Sequence, residues 1–209
     1  MFAAVTPGVR RVSETARLLV LVPLRAEQAA LDRRPGWRVL RAGMGPQRAR
    51  LAAARGLAIE AGAVAVAGVC GAVAPDLRPG DVVVATELRA EGAEPVAADG
   101  MLADALRARG LTARAGPIVS TARIASPDER RVLDALAVDM ESAWLAAAAG
   151  GRPLAVLRVV VDRADRGLLD LRTPAAGIRA LATLRRAAPA LDDWATLASA
   201  RAADMVAAP

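Results

Sequence analysis

Short apolar runs alternate along the chain with stretches whose apolar residues recur at helical spacing. ARLLVLVP (16–23), GWRVLRAG (36–43), AVAVAG (63–68), DVVVATEL (81–88) and LAVLRVVV (154–161) predict strands, and ARAGPIVSTARI (113–124) predicts a further extended stretch. LRAEQAAL (24–31), QRARLAAARGLAIEAG (47–62) and MLADALRARG (101–110) predict helices, the last closed by Gly110. SPDERRVLDAL (126–136) carries its own start signal: Ser126 as N-cap, Pro127 at the first helical position and Glu129 at the capping-box position. AVDMESAWLAAAAG (137–150) predicts an apolar helix led in by Asp-Met-Glu. The C-terminal region predicts two helices split near Pro189, and VCGAVAPDLRPG (69–80) reads as a loop marked by Gly and Pro.

Strands alternating with helices predict an α/β fold with a largely parallel or mixed sheet. The strands are continuously apolar rather than alternating, which suits a sheet covered on both faces. Working groups in such sheets collect at the carboxyl ends of the strands. Glu27, Gly43–Gly45, Gly68–Gly71 and Asp162 all fall at or just after predicted strand ends.

Composition narrows the chemistry. The 209 residues suffice for one well-buried domain, and 55% hydrophobic with 24% charged residues is a globular balance. There is no His, and all 28 basic residues are Arg. Imidazole-based nucleophile systems and metal sites, the Walker lysine and Schiff-base chemistry are therefore excluded. Tyr is absent too, so proton transfer falls to Asp and Glu, with Arg as a fixed charge. The net charge of +6 is spread over scattered arginines, and Phe2, Trp37, Trp144 and Trp194 are the whole aromatic complement. A composition bias explains this better than a nucleic-acid surface does. One Cys means no intrachain disulfide, which fits the cytoplasm; apolar runs too short for a bilayer predict no membrane span, and residues 1–15 lack the apolar core of a secretory signal.

Several charged residues sit in costly places. Asp162 ends an apolar strand, with Arg158 inside that strand four residues earlier, and Glu141 begins an apolar helix. Taken singly, each has an ordinary structural role: Asp162 as a turn cap, Glu141 as a helix-dipole partner, Arg158 as a buried partner of Glu141 or Asp139, Glu27 as a solvated helix residue. AGMGP (42–46) is a strand-to-helix turn whose backbone N–H groups can approach an anion or a sugar hydroxyl, or is a plain tight turn. Cys70 reads as a small buried filler, since no His is present to activate it.

In combination, VPLRAEQAAL (22–31), AGMGPQRA (42–49), GVCGAVAPDLRPGDVVVATE (68–87), VDMES (138–142) and LRVVVDRAD (157–165) make the chain resemble the nucleoside phosphorylase/nucleosidase superfamily. The likeness is to its methylthioadenosine/S-adenosylhomocysteine nucleosidase branch, and VDMES with the Arg- and Leu-rich C-terminal helices looks closest to the hopanoid-associated group. The resemblance implies a three-layer α/β domain over 1–209, with a mixed, mostly parallel twisted sheet and a loose segment at 1–15. It implies that Asp162 protonates the purine, that Glu27 positions or deprotonates the attacking water, that Glu141 binds ribose hydroxyls, and that Arg158 lies near water and ribose. Met140 and Asp139 would flank the sugar, Gly71, Cys70 and Val69 would form the loop beside base and sugar, Ile124 would stand near the base, and Gly45 would belong to the Gly turn.

The implied activity is hydrolysis of the N-glycosidic bond of an adenosine-type nucleoside, with no metal and no cofactor, in a homo-oligomer with a dimer favoured. Two carboxylates suit an oxocarbenium-like transition state. Phosphorolysis to ribose 1-phosphate stays open, since PLRA (23–26) is similar to a phosphate-binding Arg segment and makes Arg25 an anion ligand; an adenosylhopane-type substrate and a non-catalytic nucleoside binder stay open too. Val69 and Val161 stand where relatives carry polar residues, and RGLLDLRTPAAG (166–177) could face a greasy substituent.

Overall fold

The computed structural model describes residues 15–32, 34–165 and 174–207. The expectation of a loose start over 1–15 and that of an apolar flap at 166–177 fall largely outside the described residues. Eight strands, β1 (Ala16–Val22), β2 (Trp37–Arg41), β3 (Ala61–Ala72), β4 (Val82–Ala90), β5 (Val96–Ala97), β6 (Ala113–Ser120), β7 (Ala137–Asp139) and β8 (Leu154–Asp162), form one mixed sheet. The pairs β1–β2, β1–β3, β3–β8, β4–β6 and β6–β7 are parallel; β3–β7, β4–β5 and β4–β8 are antiparallel. The twelve-residue β3 is long enough to pair with β1 and β8 and then, at Gly71 and Ala72, with β7. Pairing through β3, β8, β4, β6 and β7 thus returns to β3 and curls this part of the sheet closed, while β1 and β2 extend from it.

Helices cover both faces. Leu18, Val20 and Val22 of β1 and Ala63, Ala65 and Ala67 of β3 face a core shared with α1 (Arg25–Leu31), α3 (Leu102–Ala108) and α6 (Pro174–Ala207). The alternate residues Leu19, Leu21, Val64 and Val66 face a second core with α2 (Pro46–Leu57), α5 (Ser142–Leu145) and the 3₁₀ turn Ala146–Ala149. Each strand feeds two cores, which is why its sequence is apolar without alternation. Every residue of β8 is buried, including Arg158 and Asp162. Between them the strand is irregular: its pairing with β3 runs Cys70 to Val160 and then Gly71 to Asp162, which breaks the alternation of side chains.

Several boundaries differ from expectation: the stretch 137–150, expected as one helix, divides into β7, the four-residue α5 and the 3₁₀ turn Ala146–Ala149, because Ala137–Asp139 pair with β6 and β3. The helix expected to run to Gly62 ends at Leu57, because Ala61 already pairs with Ala16. The loop expected from Val69 begins four residues later, since β8 and β7 hold β3 in the sheet as far as Ala72. The helix expected over 126–136 is only α4 (Pro127–Arg131), although its capping box forms as read.

Pro189 does not split the C-terminal region: α6 is one 34-residue helix with the proline inside. Its buried stripe, Ala180, Leu184, Ala187, Ala188, Leu191, Trp194, Ala195 and Ala198, continues across Pro189. Trp194 Nε1 donates to Asp99 Oδ2 at 2.8 Å, and Trp37 Nε1 donates to Asp192 Oδ1 at 2.6 Å. Packing and these anchors outweigh one lost helical hydrogen bond. Pro189→Ala is expected to raise stability by about 2 kcal/mol, the ~3 kcal/mol cost of an interior proline less the ~1 kcal/mol by which proline restricts the unfolded chain. An increase in the urea midpoint with an unchanged slope checks it.

Candidate active site

A cavity of about 120 Å³ opens where the strand ends converge, lined by Pro23, Leu24, Glu27, Met44, Val69, Cys70, Gly71, Val138, Asp139, Met140, Glu141 and Val161. Glu27 lies in the first turn of α1 and is buried. Its Oε2 accepts from Leu24 N at 2.7 Å and its Oε1 from Val69 N at 2.9 Å. Burial pushes its carboxyl above the usual carboxylate range, against the opposing pull of Arg158 and of the two backbone N–H groups. Glu141 sits between β7 and α5, and its Oε1 accepts from Gly45 N at 2.8 Å. Burial raises this carboxyl as well, again opposed by Arg158.

The Gly turn at 43–45 therefore presents its N–H to an anion, and that anion is a carboxylate of the protein. Gly45 has φ +88°, which suits glycine and aims its amide at Glu141. Val69 N does the same for Glu27. Both acids are pinned by backbone donors, Glu27 by Leu24 after β1 and by Val69 within β3, and Glu141 by Gly45 after β2.

Arg158 is fully buried on β8. Its Nε lies 2.8 Å from Asp139 Oδ2, and its Nη2 donates to Ser142 Oγ at 2.8 Å. Asp139 Oδ1 accepts from Ser120 Oγ at 2.5 Å, from Glu141 N at 3.1 Å and from Ser142 N at 3.2 Å. One carboxylate thus neutralises Arg158 and fixes the backbone that carries Glu141. Arg158 Nη1 and Glu27 Oε1 meet over Gly68, where a Cβ would lie 2.5 Å from the first and 2.7 Å from the second.

Asp162 is paired with Arg130 of α4. Nη1 donates to Oδ1 at 3.0 Å and Nη2 to Oδ2 at 2.9 Å, and neither side chain is exposed. Burial pushes the Asp162 carboxyl up, and Arg130 pulls against it. Cys70 lines the cavity with its thiol held neutral by burial. Among the described residues no three Cys, Asp or Glu side chains are grouped to hold a metal ion.

A larger cleft of about 690 Å³ lies nearby, lined by Arg50, Glu91, Ser120, Arg123, Glu129 and Trp144 among others. None of the buried acids Glu27, Glu141 and Asp162 is on its wall, whereas Glu27 and Glu141 line the smaller cavity, which is therefore the candidate site.

A family model described as the phosphorylase superfamily matches residues 37–193. The chain belongs to the phosphorylase superfamily. As a member of it the protein is an enzyme of the nucleosidase or nucleoside phosphorylase kind. The fold of this superfamily member is similar to that of Helicobacter pylori futalosine hydrolase, with a TM-score of 0.74 and 19% identity over 86% of this chain and 98% of that one. The 5′-methylthioadenosine/S-adenosylhomocysteine nucleosidase of Neisseria meningitidis, solved with methylthio-immucillin-A, gives a TM-score of 0.70 and 22% identity over 84% and 98% of the two chains. The corresponding nucleosidase of Helicobacter pylori gives a TM-score of 0.70 and 19% identity over 86% and 97%. Among curated protein sequences none matches the chain.

Of the residues singled out from the sequence, Glu27, Glu141, Met140, Asp139, Val69, Cys70 and Gly71 meet on one cavity wall. Gly45 supports Glu141 from behind. Arg158 is the buried partner of Asp139. Asp162 stands beyond Gly71 and off the wall, and Ile124 is half-exposed and also off it. Met44, Ser120, Ser142 and Arg130 were not anticipated. Gly68 was noted only as part of a strand end. In this superfamily member Gly68→Ala is expected to push Arg158 or Glu27 out of register and lower kcat at least ~100-fold while the chain still folds. Steady-state kinetics beside a circular dichroism spectrum check this.

Proposed function

We propose that the protein hydrolyses the N-glycosidic bond of a purine nucleoside. One observation carries the reading. Glu27 and Glu141 stand on the wall of one small cavity, Glu27 held through both carboxylate oxygens and Glu141 through one by backbone N–H donors. Glu141 accepts from Gly45 through Oε1, which leaves Oε2 for a sugar hydroxyl. Met140 packs on the sugar, Glu27 orients and deprotonates water at the anomeric carbon, and Asp162 delivers a proton to the base as it leaves. The carboxylates nearby stabilise the oxocarbenium-like sugar. Phosphate is the poorer nucleophile here, because Glu27 would repel it and Arg25 is exposed at the start of α1.

The test is a phosphate-free incubation with adenosine, inosine and methylthioadenosine. Release of free base and unphosphorylated sugar is expected, and a requirement for phosphate would overturn hydrolysis. Asp162→Asn is expected to lower kcat by about 10²–10⁴-fold, the usual contribution of a positioned acid. Because Glu27 acts ionised and burial raises its carboxyl above 4.5, kcat/KM is expected to fall as the pH drops through that raised value. The acid limb in the wild type should therefore lie above 4.5. A limb at or below 4.5 in a pH–rate profile would remove Glu27 from the role.

A further inference from the structure

Arg130 holds both oxygens of Asp162, the carboxyl that the reading above assigns to the base. A Cβ on Gly71 would lie 2.8–2.9 Å from Nη2, Cζ and Nη1 of Arg130, so the guanidinium rests against the Gly71 backbone. Gly71 is on the cavity wall, and Asp162 closes the same end from β8 with both carboxylate oxygens held by Arg130. The cavity stops short of Asp162 at about 120 Å³. Pockets that take whole small molecules run to roughly 300 Å³ or more. The cavity is therefore small for a whole nucleoside, and it is half open.

Arg130 also borders an open cleft of about 480 Å³ on another side, whose wall includes Asp134, paired with Arg89, and Asp165, paired with Arg163. Arg130 is near the end of the five-residue α4, which the Ser126–Glu129 capping box and an Arg123–Glu129 ion pair hold at its start. Arg130 thus stands between the carboxylate it holds and a cleft whose wall carries two others.

We propose that Arg130 is a displaceable guard: in the empty protein its guanidinium fills the base end of the site and neutralises Asp162, and an arriving purine exchanges with it, sending it into the cleft beside Asp134 and Asp165. The proposal rests on the nucleoside reading above. Its consequence is a proton. Once Arg130 leaves, Asp162 is a buried carboxylate without a counter-charge. The titratable groups facing it are Arg130 from α4 and Cys70 from β3, and the Cys70 thiol is neutral. Such a carboxylate takes up a proton from solvent and donates it in a hydrogen bond to the base. Guarding thus ties the loading of the acid to the arrival of its substrate.

Carbocyclic adenosine and carbocyclic inosine test this, because a ring carbon in place of the ribose oxygen blocks cleavage while the purine edge is kept. Titration calorimetry near pH 7, in buffers of different ionisation enthalpy, counts the protons bound. Uptake of about one proton per site is expected for the wild type and close to none for Asp162→Asn, a difference that also subtracts any contribution of Glu27 and Glu141. In Arg130→Met the acid is already protonated when empty, so uptake falls toward zero and binding tightens about tenfold. Should that variant fail to fold, the comparison of wild type with Asp162→Asn decides. Binding by the wild type with no more proton uptake than Asp162→Asn would overturn the guard and leave the nucleoside reading standing. Failure of both analogues to bind would overturn both.

Discussion

Arg158 and Asp162 are both buried on β8, and each needs a counter-charge because an isolated buried ion costs several kcal/mol. Arg158 finds Asp139, and the same carboxylate ties down the turn that presents Glu141. Asp162 finds Arg130 from α4. The long strand β3 allows both pairs by having no side chain at Gly68 or Gly71, so that each guanidinium rests on bare backbone. Lysine could not serve equally well. Arg158 reaches Asp139 and Ser142 together, and Arg130 reaches Asp162, Ala125 O and Ala72 O, which takes a planar group with several fixed donors.

Much of the fold was legible because two covered faces leave a plain mark: strands apolar at every position. What stayed hidden depended on contacts remote in sequence. Cys70 and Gly71 look like loop residues until β8 and β7 are beside them, and Pro189 looks like a break until the buried stripe on both sides of it is seen to be continuous. Strand and helix limits were set by partners rather than by local preference.

The site divides in the same way. Glu27 alone reads as a solvated helix residue and stood out only through the family resemblance, whereas Glu141 and Asp162 were legible as acids in apolar surroundings. Arg130 was not, because DERR reads as a solvated helix face, and nothing local distinguishes Arg130 from Arg131, which pairs with Asp128 at the surface. The Gly turns were legible as amide donors, but their recipients are side chains of the protein. That alters their meaning. Donors spent on Glu27 and Glu141 hold two acids in single orientations before any substrate arrives, which is how a site avoids reorganising during reaction.

The curl of β3, β8, β4, β6 and β7 has a consequence for life in a crowded solution. A sheet that closes on itself offers few unpaired strand flanks for a neighbour to add to. Among the described residues the outer flanks belong to β2 and to β5, which is two residues long. β2 carries Arg38 and Arg41 exposed to solvent. Two cations on a five-residue border strand make stacking of like molecules unfavourable, so a chain this rich in valine and alanine is protected against fibrous self-association where it is most open to it.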